Sequence, residues 1–162
     1  MDKKDIYEHL TNNEIWHELT EHEAVYNMLE VSNVKLPYPE EIAKNLFVRD
    51  DKKRNYYLIS VKSNKKVDLK KIKQRYNTRS LSFASDADLL TYLGLHPGAV
   101  TPFGILNDNE KRVEVFIDKD FLAIPGLIGV HPNDNTATVW LKTTDLINIL
   151  KKHGNAVSIV EI

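Results

Sequence analysis

Two short runs, residues 44–49 and 56–62, flank the polar stretch Asp50, Asp51, Lys52 and Lys53. The second run is rich in aromatic and β-branched residues, Tyr56, Tyr57, Ile59 and Val61 among them. Such side chains suit a pleated, half-buried surface. Two runs joined by a polar turn predict an antiparallel hairpin, and this commits the chain to a sheet.

The remaining elements are expected around that hairpin. Ile6 and Leu10, spaced i,i+4, predict a short first helix that Asn12 and Asn13 stop, with a strand over 15–19. Asn27 and Glu30 form a capping box for a brief helix near Met28, and Pro37 and Pro39 interrupt regular structure before the hairpin. Asp68 can cap a basic helix carrying Leu69, Ile72 and Tyr76. After a strand at 80–83, Ser85 and Asp88 form a second capping box whose helix ends at Gly94. Strands at 103–106 and 113–117, separated by Asn107, Asp108 and Asn109, are expected to pair as another hairpin. A Pro125-Gly126 turn, strands at 128–131 and 136–141, a helix from Thr144 with Gly154 after it, and a strand at 157–162 complete the reading. The expected fold class is mixed α/β (α+β), one domain over 1–162, with a largely antiparallel mixed sheet.

At 162 residues, 42% of them hydrophobic, the chain is long enough for one substantial core. No apolar run approaches the ~20 residues that cross a bilayer. The start, Met1 to Asp5, lacks the apolar stretch of a secretory signal, so a soluble cytoplasmic protein without membrane contact is expected. Cysteine is absent, which excludes disulfides, thiolate metal sites and a cysteine nucleophile.

The net charge of −1 hides an asymmetry: residues 44–79 hold 13 basic and three acidic side chains. That segment carries +10 and the remainder −11. It is either a set of solvated faces or a surface for a polyanion, drawn by direct attraction and counterion release.

Walker loop, dinucleotide glycine fingerprint and nucleophile elbow are all missing. His17, Glu18 and His22 approach a zinc-protease pattern, but on a helix the i+5 spacing turns the second histidine about 140° from the first, so no metal is expected there. The six histidines are dispersed, and spacing promotes none of them.

Four ordered segments resemble those of the YbaK and prolyl-tRNA synthetase-associated editing family. They are EHEAVY at 21–26, AKNLFVRD at 43–50, LSFAS at 81–85 running on to LGLHPGAVTPFG at 93–104, and HPNDNTATV at 131–139. Within the family the chain is most similar to the freestanding alanyl-tRNA(Pro) deacylases, through the loop from Gly98 to Pro102. Asn27 stands where the family usually has threonine, and the segment around Pro125-Gly126 has no clear counterpart.

The resemblance implies a curved mixed sheet flanked by helices and a trans-editing hydrolase acting on the ester of mischarged tRNA(Pro), alanine being the residue removed. It implies Lys44, Gly98 and His131 as the catalytic set. Lys44 would hold the phosphate or ribose of the terminal nucleotide. Gly98 would let the loop amides, with Ala99, approach the carbonyl as an oxyanion hole, and Pro102 would stiffen that loop. His131 would order the water or a substrate group. Asn45, Asn135 and His22 would line the substrate pocket, although turn formation explains Asn135 equally well. Water would attack with help from the tRNA's own ribose hydroxyl, without metal or other cofactor. The implied partners are the acceptor end of tRNA(Pro) and a prolyl-tRNA synthetase. A deacylase for cysteine or serine and a non-catalytic tRNA-binding module are the alternatives.

Overall fold

The computed structural model describes residues 1–24 and 35–162. The capping box of Asn27 and Glu30, with its helix near Met28, lies outside the described residues.

Helix α1 (Lys3–Asn12) starts at a reciprocal cap in which Asp2 accepts from the Asp5 amide and Asp5 from the Asp2 amide. Its Ile6 and Leu10 are fully buried. Strand β1 (His17–Glu21) follows. Strands β2 (Ala43–Asp50) and β3 (Tyr56–Lys62) form the expected antiparallel hairpin, with Ala43 opposite Lys62 and Arg49 opposite Tyr56. The turn is fixed by the fully buried Asp50 carboxylate, which accepts from the Arg54 amide at 2.9 Å and from Asn55 Nδ2 at 2.7 Å.

Helix α2 (Leu69–Tyr76) is capped by Asp68 and closed by Asn77 in the left-handed region. Strand β4 (Leu81–Phe83) pairs antiparallel with β2. Helix α3 (Asp86–Leu93) takes Ser85 as its N-cap and ends at Gly94, φ 63°. Strands β5 (Val113–Asp118), β6 (Leu127–Val130) and β7 (Ala137–Lys142), helix α4 (Thr143–His153) and strand β8 (Val157–Val160) complete the order.

The strands form two sheets, β4-β2-β3-β5-β8 and β1-β7-β6, which a bridge between Ile42 and Gly129 joins. Four strand pairs are antiparallel, whereas β3–β5 and β5–β8 are parallel. The sheet is thus mixed and largely antiparallel as expected, but divided in two.

The hairpin expected between 103–106 and 113–117 does not form. Pro102–Asn107 is a 3-10 helix, with Pro102 in its first turn and the Thr101 hydroxyl accepting from the Phe103 amide. Phe103 and Ile105 are both completely buried there. Burying each such side chain is worth about 1.5–3 kcal/mol, more than the ~1 kcal/mol spread of strand preferences. Strand β5 lies instead between β3 and β8, its entry fixed by Asp108, which accepts from the Val113 amide at 2.9 Å and from Asn155 Nδ2 at 2.8 Å.

Strand alternation divides the core. Phe47, Tyr56 and Leu58 join α1, α3, α4 and the second sheet in the main cluster, whereas Val48, Tyr57, Ile59 and Val61 pack with Ile72 of α2 and Phe116 on the opposite face. Hence β3 is buried on both faces, and the start of β2 comes to the junction of the two sheets.

Candidate active site

Where the sheets meet, the bridge from Ile42 to Gly129 opens beside a small cleft of about 50 Å³. Its lining is Ile42, Ala43 and Asn45 on the β2 side, with Gly129, Val130, His131 and Thr138 on the β6–β7 side. Gly129 has to be glycine. It pairs with Trp140, and a Cβ built on it would lie 2.3 Å from the indole Cζ3.

Asn45 shares its face of β2 with Ala43 and Phe47. Its Oδ1 accepts from the hydroxyl of the fully buried Ser60 at 2.5 Å, which leaves the Nδ2 hydrogens as donors. His131 follows β6, and its Nδ1 lies 2.8 Å from the Ala137 carbonyl. A carbonyl only accepts, so Nδ1 carries the proton and Nε2 of the neutral ring is an acceptor. Burial, with a smaller contribution from nearby His22, holds the His131 pKa below its ordinary value and so favours that neutral ring.

His22 stands beside it, with ring centroids 6.1 Å apart. His22 Nδ1 is 2.8 Å from the Glu23 carbonyl and Nε2 is 3.0 Å from the Thr138 hydroxyl. The end of β1 is held in place there, since the His22 amide donates to the Thr136 carbonyl at 2.9 Å. Lys3 adds a hydrogen bond to the Thr136 hydroxyl and an ion pair to Glu21.

The loop 96–102 reaches the site through Thr101, which is fully buried and donates its hydroxyl to the His131 carbonyl at 2.5 Å. Gly98 adopts φ 90°, a conformation open to glycine, and the buried Ala99 closes a turn back to the His96 carbonyl at 3.2 Å. Pro102 is buried at the head of the 3-10 helix. Asn135 lies in the turn between His131 and β7 and is half-buried.

The structure therefore brings Asn45, His131 and His22 together and keeps the Gly98–Pro102 loop alongside, outside the cleft lining. Lys44 is set apart, because one step along a strand reverses the face. Its ammonium donates to the Lys65 carbonyl. Lys65 is itself clamped by Asp118 at 2.8 Å and Asp120 at 2.6 Å. Burial opposes the Lys65 charge, yet the hydrogen bonds from these two carboxylates raise its pKa above the ordinary lysine value.

Thr138, Ser60, Thr101 and Gly129 are among the residues of this site not anticipated from the sequence. For Thr138 a signal exists, since it is the polar member of the run from Ala137 to Leu141 in which Val139 and Leu141 enter the main core. Its partner depends on the β1–β7 register, which the run alone does not carry.

His17 is engaged elsewhere, with Nδ1 2.7 Å from the Ile15 carbonyl. Among the described residues, no group of three or more His, Asp or Glu side chains is placed to hold a metal. Among them, also, no helix is long and apolar enough to cross a membrane.

Of the basic segment, Lys62, Lys65 and Arg79 are held in ion pairs with Glu41, Asp118 and Asp120, and Asp51. Lys52, Lys53, Arg54, Lys66, Lys70 and Lys71 are exposed and form no ion pair among the described residues.

Comparison with known proteins converges on one family. The model of the aminoacyl-tRNA editing domain matches residues 22–149. The prolyl-tRNA editing protein ProX of Acetoanaerobium sticklandii is 42% identical over 144 residues, covering 89% of this chain and 87% of its own. The prolyl-tRNA synthetase associated domain-containing protein 1 of Danio rerio is 29% identical, covering 93% of this chain and 82% of its own. A crystal structure described as that of a candidate trans-editing enzyme for prolyl tRNA synthetase superposes with a TM-score of 0.70 at 17% identity, over 100% of this chain and 98% of that one. That last likeness speaks to the fold, and the family model and the sequence relatives speak to descent: the chain belongs to the aminoacyl-tRNA editing domain family.

Proposed function

We propose that this editing domain acts in trans as a deacylase, hydrolysing the ester of mischarged tRNA(Pro), with alanine as the amino acid removed and residues 1–162 working as one unit. The observation that carries the reading is the cleft itself: about 50 Å³, with an amide donor from Asn45 on one side and the Nε2 acceptor of His131 on the other.

An aminoacyl ester is already activated, so the site needs to place a water and stabilise the oxyanion. His131 Nε2 accepts from the attacking water. The water oxygen bonds to the carbonyl carbon, and charge develops on the carbonyl oxygen. Asn45 Nδ2 and the amides of the loop at Gly98 and Ala99 receive that charge. The bond to the ribose oxygen then breaks, and the water's proton reaches the departing oxygen by way of the neighbouring ribose hydroxyl. Pro102 keeps the loop stiff, and Asn135 contributes from the turn beside His131. Lys44, on the other face of β2, exchanges the Lys65 carbonyl for a phosphate of the terminal nucleotide.

A relative of 42% identity named for prolyl-tRNA editing supports proline tRNA as the substrate. The exposed cations of 52–54, 66 and 70–71 supply a surface for its phosphates, and a prolyl-tRNA synthetase is the partner that would deliver it. The small cleft supports alanine. A synthetase pocket built for proline cannot strongly reject the smaller residue, while a second site too small for the proline ring spares the correct product. A panel of alanyl-, seryl-, cysteinyl- and prolyl-tRNA(Pro) tests the reading. Preferred loss of the alanyl ester is expected. Preference for another ester would reassign the substrate, and binding without hydrolysis would leave a tRNA-binding module.

A further inference from the structure

Two residues at the cleft acquire a defined polarity from their hydrogen bonds. His22 Nδ1 faces the Glu23 carbonyl at 2.8 Å and carries a proton there, so when the ring holds that one proton Nε2 accepts. The neighbour of Nε2 is the Thr138 hydroxyl at 3.0 Å, which therefore donates. A hydroxyl has one proton and two acceptor lone pairs. With its proton committed to His22, Thr138 offers the cleft acceptors alone. It is 5% exposed and lines the cleft opposite Asn45, whose Nδ2 offers donors.

The cleft thus has an accepting wall and a donating wall. An α-aminoacyl ester has the complementary polarity, an ammonium that needs acceptors and a carbonyl that needs donors. Resting on the hydrolytic reading above, we propose that Thr138 is the seat of the substrate's α-ammonium group and that His22 is its positioning residue, fixing the direction of the hydroxyl proton. With the ammonium on Thr138, His131 Nε2 stays free for the water. Among the described residues, no lysine or arginine lines the cleft.

The test compares alanyl-tRNA(Pro) with lactyl-tRNA(Pro), its deaminated counterpart in which a neutral hydroxyl replaces the ammonium at nearly the same size. Rates are divided by the uncatalysed hydrolysis of each ester. Hydrogen bonds to charged groups are the stronger kind, so the wild type is expected to favour the alanyl ester by roughly tenfold to a hundredfold. Thr138→Val, close in shape, is expected to remove most of that preference by slowing alanyl hydrolysis more than lactyl hydrolysis. Thr138→Ser, which keeps the hydroxyl, restores it.

Equal loss on both esters in Thr138→Val would make the residue structural and overturn the proposal. So would a wild type that treats the two esters alike, whether or not the valine variant folds. A wild type that hydrolyses neither ester would overturn the hydrolytic reading itself, and the seat with it.

Discussion

Gly129→Ala changes one hydrogen to a methyl at the wall of the cleft. The added carbon would stand 2.3, 2.6 and 2.9 Å from Cζ3, Cε3 and Cη2 of Trp140. Carbon atoms in contact prefer about 3.5–4.0 Å, so the overlap exceeds 1 Å and cannot be absorbed by small adjustments. Trp140 has little room to yield. It is 0% exposed, its Nε1 donates to the Thr20 hydroxyl at 3.2 Å, and Tyr38 packs edge-on against it at 5.5 Å. Either the indole leaves its rotamer or β6 and β7 separate. Overpacking of this kind costs about 1–3 kcal/mol. In a chain of this length that lowers Tm by roughly 2–12 °C. Urea unfolding followed by far-UV circular dichroism, which works equally in variants lacking Trp140, reads the loss as a lower midpoint with an unchanged slope. Adding Trp140→Phe shortens the ring that the methyl strikes, so the alanine should then cost at least about 1 kcal/mol less than it does alone. A midpoint unchanged by Gly129→Ala, or strictly additive effects in the double variant, would refute the packing argument.

Ile42→Ala widens the cleft from the β2 side and should raise hydrolysis of prolyl-tRNA(Pro) by about tenfold or more, measured as ester loss; continued sparing of that ester would remove size as the basis of selection. The lowered pKa of half-buried His131 means that the unfolded chain binds its proton first. Stability should therefore fall as pH drops from the ordinary histidine value toward the lowered one, and the difference between wild type and His131→Asn across that window, read by urea midpoints, should show it. Lys70→Gln with Lys71→Gln should flatten the slope of log affinity for tRNA against log salt by about 1.4–1.8, and an unchanged slope would take the first turn of α2 out of the phosphate path. Ester hydrolysis should persist after chelation; loss that a divalent ion restores would show that water and side chains alone are not enough.

What was legible in the sequence was what local chemistry decides. The β2–β3 hairpin follows from an aromatic, β-branched run beyond a polar turn, and Asp68, Ser85, Gly94 and Gly154 mark helix ends because caps need particular side chains or a positive φ. What depends on distant partners was not legible. Residues 103–106 and 113–117 look alike as short apolar runs, but Thr101 and Pro102 start a helix at the first, whereas the second is taken up between β3 and β8. The site divides the same way. His131, His22 and Asn45 were named through family resemblance, and the junction of the sheets brings them together. Adjacent residues Lys44 and Asn45 were expected to act side by side, yet strand alternation sends Lys44 to the Lys65 carbonyl on the opposite face. Thr138 went unnoticed because its meaning lies in the hydrogen bond it shares with His22 across the β1–β7 pair.

The central claim is tested most directly by following ester loss from alanyl-tRNA(Pro) and prolyl-tRNA(Pro) incubated separately with the purified protein. Rapid loss of the alanyl ester, with the prolyl ester decaying at its uncatalysed rate, is the predicted result. Equal hydrolysis of both, or of neither, would contradict it.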